Sequence, residues 1–421
     1  MNRKTIFTSA FYTIKKEFAG TTTRQTLSLY GSEIIALIIG ILTGVINTRT
    51  LGPVGYGILA FFGTTTSFTV LFFRFGTFSA TGVMLAHCKD KIRTRELIGA
   101  SVVIAFIIGI FYSCFIFFIS FFIDGWFKVE IGWILRWASL MLIALPMTLL
   151  ITQIGKGANA IHRLSAFNIL RPALYLGGAL LMLFAIKIEP VHLILLNLFT
   201  IVITITIVIH TFHPLFSHLR EIIRAILEKT KEYGFHLYIG QISDQSANQL
   251  SGLLIPFFIN TTQLGFFSLA TMMTDPMVGL SRCLATSLFR DFAQADEIPK
   301  KVIYYNVAWL AMCVILINIF GGFLIGFLFS KDFLPVAPIL LPLSIAAFFQ
   351  GMYQPYNVFL GAHMRGKELR NNSIIVAVIF FIGNIILIPT IGIYGAAISL
   401  LLGYGTSYNI YRYYYKKYLK S

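Results

Sequence analysis

The sequence predicts an all-α membrane protein with 12 transmembrane helices, arranged as two parallel six-helix repeats around a central cavity. Three observations predict this fold class. The 421 residues are 57% hydrophobic and only 12% charged, whereas soluble chains carry roughly 25% charged residues. The hydrophobic residues form continuous runs of bilayer-spanning length, about 20 residues each, without the alternation of a β-barrel. Two segments of the first half also recur in the second half.

The hydrophobic runs define the twelve predicted spans in chain order. They lie at 27–50, 55–85, 98–123, 134–157, 165–186, 190–211, 236–261, 264–290, 302–329, 333–361, 371–390 and 392–415. Residues 1–26 precede them as an amphipathic arm, which lacks the apolar core of a cleavable signal peptide. The hydrophilic stretch 212–235 is predicted to link an N-lobe (27–211) to a C-lobe (236–421).

The basic residues predict the orientation of the chain. Lys and Arg number 33 against 17 Asp and Glu, and they occur in small clusters between the spans. One alternating set of segments holds 26 of them and the opposite set five. Because positive charge concentrates in cytoplasmic loops, both termini and the linker are expected in the cytoplasm. This distribution also argues against a nucleic-acid partner, which needs one basic patch.

The first internal match surrounds a glycine-rich corner between spans one and two. GVINTRTLGPVGYGILA (44–60) matches PFFINTTQLGFFSLA (256–270) once three residues are omitted, and Gly55 then falls on Gly265. The corner is expected to lock two helices of one bundle together so that they move as a unit. Its predicted structural residues are Arg49, Gly52, Pro53, Gly55, Tyr56 and Gly57.

The second match lies at the end of the fourth span of each half. QIGKGANAIHRLSAFN (153–168) aligns without gaps on NVFLGAHMRGKELRNN (357–372), which pairs Gly157 with Gly361. Each half has an even number of spans, so the two repeats are parallel. Two such bundles can rock around a central cavity, which is the geometry of alternating access.

Amide side chains recur at helical spacing on otherwise apolar spans. They are Gln241, Gln245 and Asn248 with Asp244 in span seven, Gln350, Gln354 and Asn357 in span ten, and Gln153 in span four, which the repeat pairs with Asn357. Amides facing lipid would lack hydrogen-bond partners. We therefore expect them to line a hydrated, substrate-binding cavity; helix–helix hydrogen bonding without a ligand is the open alternative.

Few ionisable residues lie within the predicted spans. They are Glu33, Arg49, Arg74, Asp244, Asp275 and Arg282. A charge at mid-bilayer costs about 2.5–3.5 kcal/mol, so these residues are functional candidates, with ion pairing inside the protein as the alternative. Arg74 and Arg282 take nearly equivalent positions in spans two and eight and are predicted to bind phosphate. Glu33, Asp244 and Asp275 are candidates for proton or cation coupling, whereas Arg49 is expected to extend to the nearby surface.

Signals for other chemistry are weak. GKGANA (155–160) lacks the spacing of a P-loop, and the histidines at 210, 213 and 218 have no carboxylate or cysteine to complete a metal site. The four cysteines have no pairing spacing, and no nucleophile–base motif is evident. The sequence therefore predicts a protein without metal, cofactor or enzymatic activity.

The corner TRTLGPVGYG, followed by ILAFFGTTTSF, resembles the polysaccharide flippases of the multidrug/oligosaccharidyl-lipid/polysaccharide (MOP) exporter superfamily. The second-half TTQLGFFSLATMM (261–273) and GIYGAA (392–397) are similar too, although the second copy of the corner lacks the arginine and the proline. The resemblance implies a bacterial inner-membrane protein with V-shaped lobes around a cationic cavity. It also implies an undecaprenyl-pyrophosphate-linked oligosaccharide, such as an O-antigen unit, as substrate. A polysaccharide polymerase and a chain-length regulator are its expected partners.

A flippase that moves this lipid-linked oligosaccharide outward is thus the leading functional prediction. Outward movement of an anion is favoured by about 2.3 kcal/mol per charge per 100 mV when the cytoplasm is negative. Two alternatives stay open. A multidrug or small-cation exporter of the same superfamily would have mainly acidic inward residues, and a membrane polymerase or glycosyltransferase would have a long outer loop with catalytic groups.

Overall fold

Every one of the twelve predicted spans coincides with a helical segment. The computed structural model describes residues 21–127 and 129–420, with the backbone alone at 21–27, 29–30, 233, 236–237, 239–241, 243–248 and 290. No β-strand occurs within this range. Most of the predicted N-terminal arm, residues 1–20, lies outside the described residues.

In the N-terminal half, spans one and two begin as one bent helix. The helices are α1 (Thr21–Leu71), α2 (Thr77–His87), α3 (Lys91–Ile119), α4 (Ile123–Phe127), α5 (Gly132–Leu142), α6 (Leu145–Gly157), α7 (Ile161–Ala185) and α8 (Pro190–Thr211). Span two runs from the second part of α1 into α2, and span four consists of α5 and α6 with a bend of 41° between them.

The linker and the C-terminal half continue the helical pattern. Helix α9 (Leu219–Lys229) and a π-helical turn (Thr230–Gly234) occupy the linker. They are followed by α10 (Phe235–Phe258), α11 (Thr261–Ser287), α12 (Phe289–Gln294), α13 (Lys300–Leu324), a second π-helical turn (Ile325–Phe329), a 3₁₀ helix (Lys331–Val336), α14 (Ala337–Ala362), α15 (Gly366–Ile391) and α16 (Ile393–Tyr418).

Seven of these helical segments are long and apolar enough to cross a membrane, or eight if α5 and α6 count as one span. The difference from twelve follows from the sequence. Helix α1 contains two spans, and α11 and α16 are long but more polar. In α10, only Gln249–Phe258 is counted, as a shorter apolar helix. The polar composition of these helices suits segments that face a cavity more than lipid.

The two halves repeat the same helix packing. In the N-terminal half, α1 packs against α7, α2 against α6, and α6 against α8. The helices at the same ordinal positions pair in the C-terminal half, where α10 packs against α15, α11 against α14, and α14 against α16. The parallel duplication predicted from two short sequence matches is thus a property of the whole fold.

The turn between the fourth and fifth spans of each half corrects the register of the sequence match. Asn159 and Met364 hold the same left-handed conformation, with φ of 51° and 56°. Each lies two residues after a helix end, which is Gly157 in α6 and Ala362 in α14. Gly157 is therefore equivalent to Ala362. The sequence alignment, which pairs Gly157 with Gly361, is wrong by one residue because the backbone does not require glycine at this helix end.

A break at Gly52 creates the corner between spans one and two. Gly52 has φ 61° and ψ −177°, a conformation that side-chain-bearing residues rarely adopt. Pro53 follows it and has no N–H group to donate to a helical hydrogen bond. The glycine-rich sequence therefore redirects the chain without a loop, and the helix resumes directly after the break.

Beyond the break, the corner joins the two halves of the protein. A Cβ atom at Gly57 would lie 1.9 Å from the carbonyl oxygen of Thr261, and one at Gly265 would lie 2.5 Å from that of Pro53. Backbone therefore touches backbone where α1 crosses α11. The corner was predicted to act within a single bundle. Gly55 does face Pro190 of the same half, whereas Gly57 faces the other half. We call this end of the protein the corner end.

Two side chains of the corner reinforce the contact between the halves. Arg49 is exposed, as expected, and donates hydrogen bonds to the carbonyl oxygens of Leu328, at 2.7 Å, and Phe327. The Tyr56 ring packs edge-on against Phe333, with 6.0 Å between ring centroids. The corner end is therefore closed by backbone contact, aromatic packing and an arginine that caps carbonyls of the opposite half.

At the opposite end, which we call the linker end, the start of the linker is fixed to α3. Arg95 Nε donates to the His213 carbonyl oxygen at 2.6 Å, and Ser217 Oγ donates to the buried Glu96 carboxylate at 2.6 Å. His218 Nδ1 lies 3.0 Å from the same carboxylate. The first part of the linker is therefore held as an extension of the N-terminal half.

The π-helical turn that follows α9 touches the break between α1 and α2. A Cβ atom at Gly76 would lie 2.2 Å from the Gly234 carbonyl oxygen, and one at Gly234 would lie 2.4 Å from that of Gly76. Tyr238 Oη donates to the carbonyl oxygen of Phe72, within the break, at 2.8 Å. The two halves are consequently in contact at the linker end through the segment that connects them.

The corner contact makes a prediction for Gly57→Ala. The added methyl group has no room beside the Thr261 backbone, and overpacking of this kind costs about 1–3 kcal/mol. We expect the midpoint of thermal unfolding, measured by size-exclusion chromatography of the detergent-solubilised protein, to fall. Gly63→Ala on the same helix is the matched control, because a Cβ atom there meets nothing within 4 Å and alanine favours the helix. Equal midpoints in the two variants would contradict the corner contact.

Candidate functional site

Two cavities inside the bundle contain most of the polar residues singled out in the sequence. The first, the N-cavity, has a volume of about 320 Å³ and lies between α2 and α6. The second, the C-cavity, consists of two adjoining pockets of about 400 and 410 Å³ that share Arg282, Gln350 and Tyr404. The sequence placed these residues around a single central cavity, whereas the structure groups them in two.

The N-cavity is built around Arg74, which lies in the helix break and not within a continuous span. Residues 72–76 are non-helical, and the break exposes Arg74 to a cavity that Gln153 and Lys156 of α6 also line. Arg74 Nε is buried and has no hydrogen-bond partner among the described residues. None of the described residues lining the N-cavity is acidic, so its charge is positive.

Lys156 was not recognised as a site residue, because it was counted among the loop lysines. A signal was present, since Lys156 follows Gln153 by three residues and therefore lies on the same face of a helix. Ser79 and Thr152 add hydroxyl groups to the same wall. The N-cavity thus offers a guanidinium, an ammonium, an amide and two hydroxyls, all of which donate hydrogen bonds.

The C-cavity combines one arginine with amides and tyrosines. Arg282 of α11 lines the same pocket as Gln350, Gln354 and Asn357 of α14. The aromatic part of the wall was not predicted from the sequence, and it consists of Tyr353, Tyr404 and Tyr411. Tyr404 and Tyr411 are seven residues apart on α16, a spacing of about two helical turns that places both rings on one face.

The second pocket of the C-cavity reaches the seam between the two halves. Its wall includes Thr64 of α1, Gln249 and Gly252 of α10, and Thr271 and Asp275 of α11. Arg282 and Asp275 are exposed in the protein alone, because this pocket is open. The C-cavity is therefore not enclosed within the C-terminal half.

The ion pairs considered as an alternative for the membrane charges do not form among the described residues. The six described salt bridges include neither Arg74, Arg282, Glu33 nor Asp275. Glu33 is exposed and accepts a weak hydrogen bond from Cys283 Sγ at 3.4 Å. No described carboxylate lines the N-cavity, which therefore retains a positive charge that can attract an anion. In the C-cavity, Asp275 lines the same pocket as Arg282 without forming a salt bridge with it.

Other predicted residues fall elsewhere. The side chains of Gln241, Asp244, Gln245 and Asn248 lie outside the described residues, although their backbone continues α10. Gln153 and Asn357, which the sequence match paired, line different cavities. Their positions in the two halves differ by one residue when the helix ends are aligned. None of the corner residues lines either cavity. No group of three His, Cys, Asp or Glu side chains suited to a metal ion occurs in the part of the chain that the structure describes.

Solved structures with similar folds are membrane transporters. An inward-facing multidrug resistance MATE family transporter of the MOP superfamily superposes with a TM-score of 0.71 at 13% identity, over 92% of this chain and 96% of that one. The lipid II flippase MurJ, in an inward closed conformation, gives 0.72 at 14% identity, over 92% and 87%. A MOP superfamily transporter from Pyrococcus furiosus gives 0.58 at 12%, over 94% and 95%.

The family of the chain follows from its sequence. A search of curated protein sequences finds no significant match. The model of the family described as "Polysaccharide biosynthesis protein" matches residues 22–289, which is more than half of the chain. The matched range covers the corner, the N-cavity, and the part of the C-cavity wall up to Thr286. The chain therefore belongs to the polysaccharide biosynthesis protein family and has the multi-pass, twelve-helix fold of the MOP superfamily.

Proposed function

We propose that this protein flips a lipid-linked oligosaccharide, joined to its carrier by a diphosphate, across a bacterial inner membrane. The observation that carries the proposal is that Arg74 and Lys156 line a cavity without a described carboxylate, while Arg282 lines the C-cavity of the other half without forming a salt bridge. The family description and the lipid II flippase among the similar folds support the substrate class. Undecaprenyl-pyrophosphate-linked sugar, such as an O-antigen unit, is the specific substrate proposed.

The diphosphate is assigned to the cationic walls. Arg74 and Lys156 face the same N-cavity, and guanidinium and ammonium groups bind phosphate oxygens through strong, charge-assisted hydrogen bonds. Arg282 offers the same chemistry in the C-cavity. A substrate that carries its negative charge on two adjacent phosphates suits an arginine in each half, because it can pass from one to the other as the halves move.

The sugar is assigned to the C-cavity. Gln350, Gln354 and Asn357 present amide donors and acceptors, which match the hydroxyl groups of a sugar. The rings of Tyr353 and Tyr404 add flat apolar surfaces with a polar edge. Amides and aromatic rings together form a wall that suits a polar, weakly charged oligosaccharide better than a hydrophobic cation.

Alternating access follows from the closed corner end. Backbone contact holds α1 against α11 there, and the TM-score is higher against an inward-facing MATE transporter, 0.71, than against an outward-facing one, 0.60. We infer an inward-facing state, with the linker end and both termini in the cytoplasm. Arg171 lies within α7 and is therefore no longer counted with the loops. The segments inferred to be cytoplasmic then hold 25 basic residues and the opposite segments five.

The driving force and partners complete the proposal. The membrane potential favours outward movement of the anion, and proton or sodium binding at Glu33, Asp244 or Asp275 is proposed to reset the empty protein. A polysaccharide polymerase and a chain-length regulator would receive the flipped unit. A small-cation exporter would have mainly acidic residues facing the cavity. It is less favoured, because the charged residue that span two contributes to the N-cavity wall is Arg74.

A hydrated C-cavity predicts the reactivity of an introduced cysteine. In a variant lacking the four native cysteines, Thr271→Cys on the cavity wall should react with a charged, water-soluble thiol reagent, because reaction requires the thiolate form. Leu181→Cys is the matched control, since Leu181 is a 73% exposed hydrophobic residue on the surface of α7 and is expected to face lipid. Labelling is read by mass spectrometry. A Thr271→Cys variant as unreactive as Leu181→Cys would contradict the hydrated cavity.

The flippase assignment predicts where the substrate accumulates. Deleting the gene should leave unpolymerised lipid-linked sugar on the cytoplasmic face, measured by its resistance to an externally added sugar-modifying enzyme in spheroplasts. Accumulation on the outer face would instead indicate a block after flipping and would contradict the proposal.

Variants of the two arginines test the site within the same assay. Arg74→Gln and Arg282→Gln should each lower surface polysaccharide about tenfold or more at unchanged protein level, since a charged hydrogen bond contributes about 1.5–3 kcal/mol. Arg220→Gln removes the same charge from the exposed face of the linker helix α9 and should have no effect. Full surface polysaccharide in both cavity variants would refute their role in binding.

A further inference from the structure

A third cavity lies in the N-terminal half, between α1, α7 and α8. Its volume is about 320 Å³, and it shares no lining residue with the N-cavity or the C-cavity. Its polar wall consists of Asn168, Arg171 and Tyr175 of α7 and Asn197 of α8. None of the described residues that line it is acidic. The function proposed above makes no use of this cavity.

Arg171 is the charge at the centre of this cavity. It lies ten residues from the start of α7, about 15 Å along the helix axis. From the sequence, Arg171 was counted with the loop residues. This was wrong, because Arg171 lies within a membrane-spanning helix. In the described part of the chain, its guanidinium forms no salt bridge. An uncompensated guanidinium at this depth is unfavourable unless an anion or water neutralises or solvates it.

Two amide side chains share this lack of partners. Asn168 and Asn197 line the cavity beside Arg171, and within the described residues neither side chain makes a hydrogen bond to the protein. An amide and a guanidinium that converge on one space without an internal acceptor are suited to an external acceptor. The arrangement differs from a structural hydrogen-bond network, in which such groups would satisfy one another.

The cavity is also connected to the corner. Tyr175 Oη, on its wall, donates a hydrogen bond to Asn47 Oδ1 of α1 at 3.2 Å. Asn47 is buried and precedes Arg49 and the Gly52 break. A ligand in the cavity is therefore separated only by the Tyr175 side chain from the part of α1 that closes the corner end.

We propose that the cavity around Arg171 is a second anion site, which binds a phosphate-type oxyanion independently of the flipped substrate. The oxyanion is supplied either by the headgroup of a membrane phospholipid or by free inorganic phosphate. Arg171 supplies the charge, and Asn168 and Asn197 supply neutral hydrogen bonds. The site stands apart from Arg74 and Arg282, so it can be tested with both of those residues removed.

The experiment measures phosphate binding where the substrate site has been disabled. The full-length Arg74→Gln/Arg282→Gln variant is purified in dodecyl maltoside, which contains no phosphate, and equilibrium binding of radiolabelled inorganic phosphate is measured. We expect saturable binding that weakens at least tenfold when Arg171→Gln is added, and that is partly retained with Arg171→Lys. Arg220→Gln, added to the same background, is the charge-matched control and should leave binding unchanged.

Two results would overturn the proposal. One is the absence of saturable binding in the double variant, and the other is equal binding with and without Arg171→Gln. If Arg171→Gln prevents folding, Asn197→Leu replaces it, because this change keeps the charge and removes one donor. Binding should then weaken several-fold, and unchanged binding in Asn197→Leu would overturn the proposal equally.

A lipid arm identifies the source of the phosphate group. In nanodiscs containing phosphatidylglycerol, a headgroup site predicts that bound inorganic phosphate is displaced. Phosphatidylglycerol should then be retained in native mass spectra of the double variant and lost on adding Arg171→Gln. If inorganic phosphate binding is instead unchanged by the lipid, the site takes the free anion. Both results support the oxyanion site and differ only in its ligand.

Discussion

Arginines that form no described salt bridge inside the membrane-spanning region are the constraint on which the rest of this structure depends. Arg74, Arg171 and Arg282 each lie within a membrane-crossing segment, and no described carboxylate forms a salt bridge with them. Helices selected only for stability would omit such residues or pair them. Their presence requires cavities, and each of the three lines one. The irregularities of the fold make those cavities possible.

The helix breaks and glycine contacts have complementary roles. The break at 72–76 exposes Arg74, while the break at Gly52 brings α1 against α11 so closely that backbone touches backbone. Apolar side chains gain little free energy by exchanging lipid for the surface of a neighbouring helix, so close backbone packing is a major source of helix association in membranes. Glycines at the seam therefore hold the halves together over a small area, which is compatible with their separation during transport.

The fold was largely predictable from the sequence, and the sites were predictable only in part. Hydrophobic length determines a span almost independently of tertiary contacts, so twelve spans and a parallel repeat were correct. Arg74 and Arg282 were identifiable because charge within a span is rare. Lys156 and Arg171 were missed, because both were counted with the basic residues of the flanking loops. The tyrosines of the C-cavity were missed because aromatic residues are equally common in cores.

The contact between Gly76 and Gly234 places the connection between the halves directly beside Arg74. The first part of the linker is fixed to α3, and the short π-helical turn that follows it rests on the segment carrying Arg74. In the function proposed above, anion binding at Arg74 and the angle between the halves would be coupled directly through this contact. Occupancy of that one arginine would then bias the reorientation of the two halves as a whole.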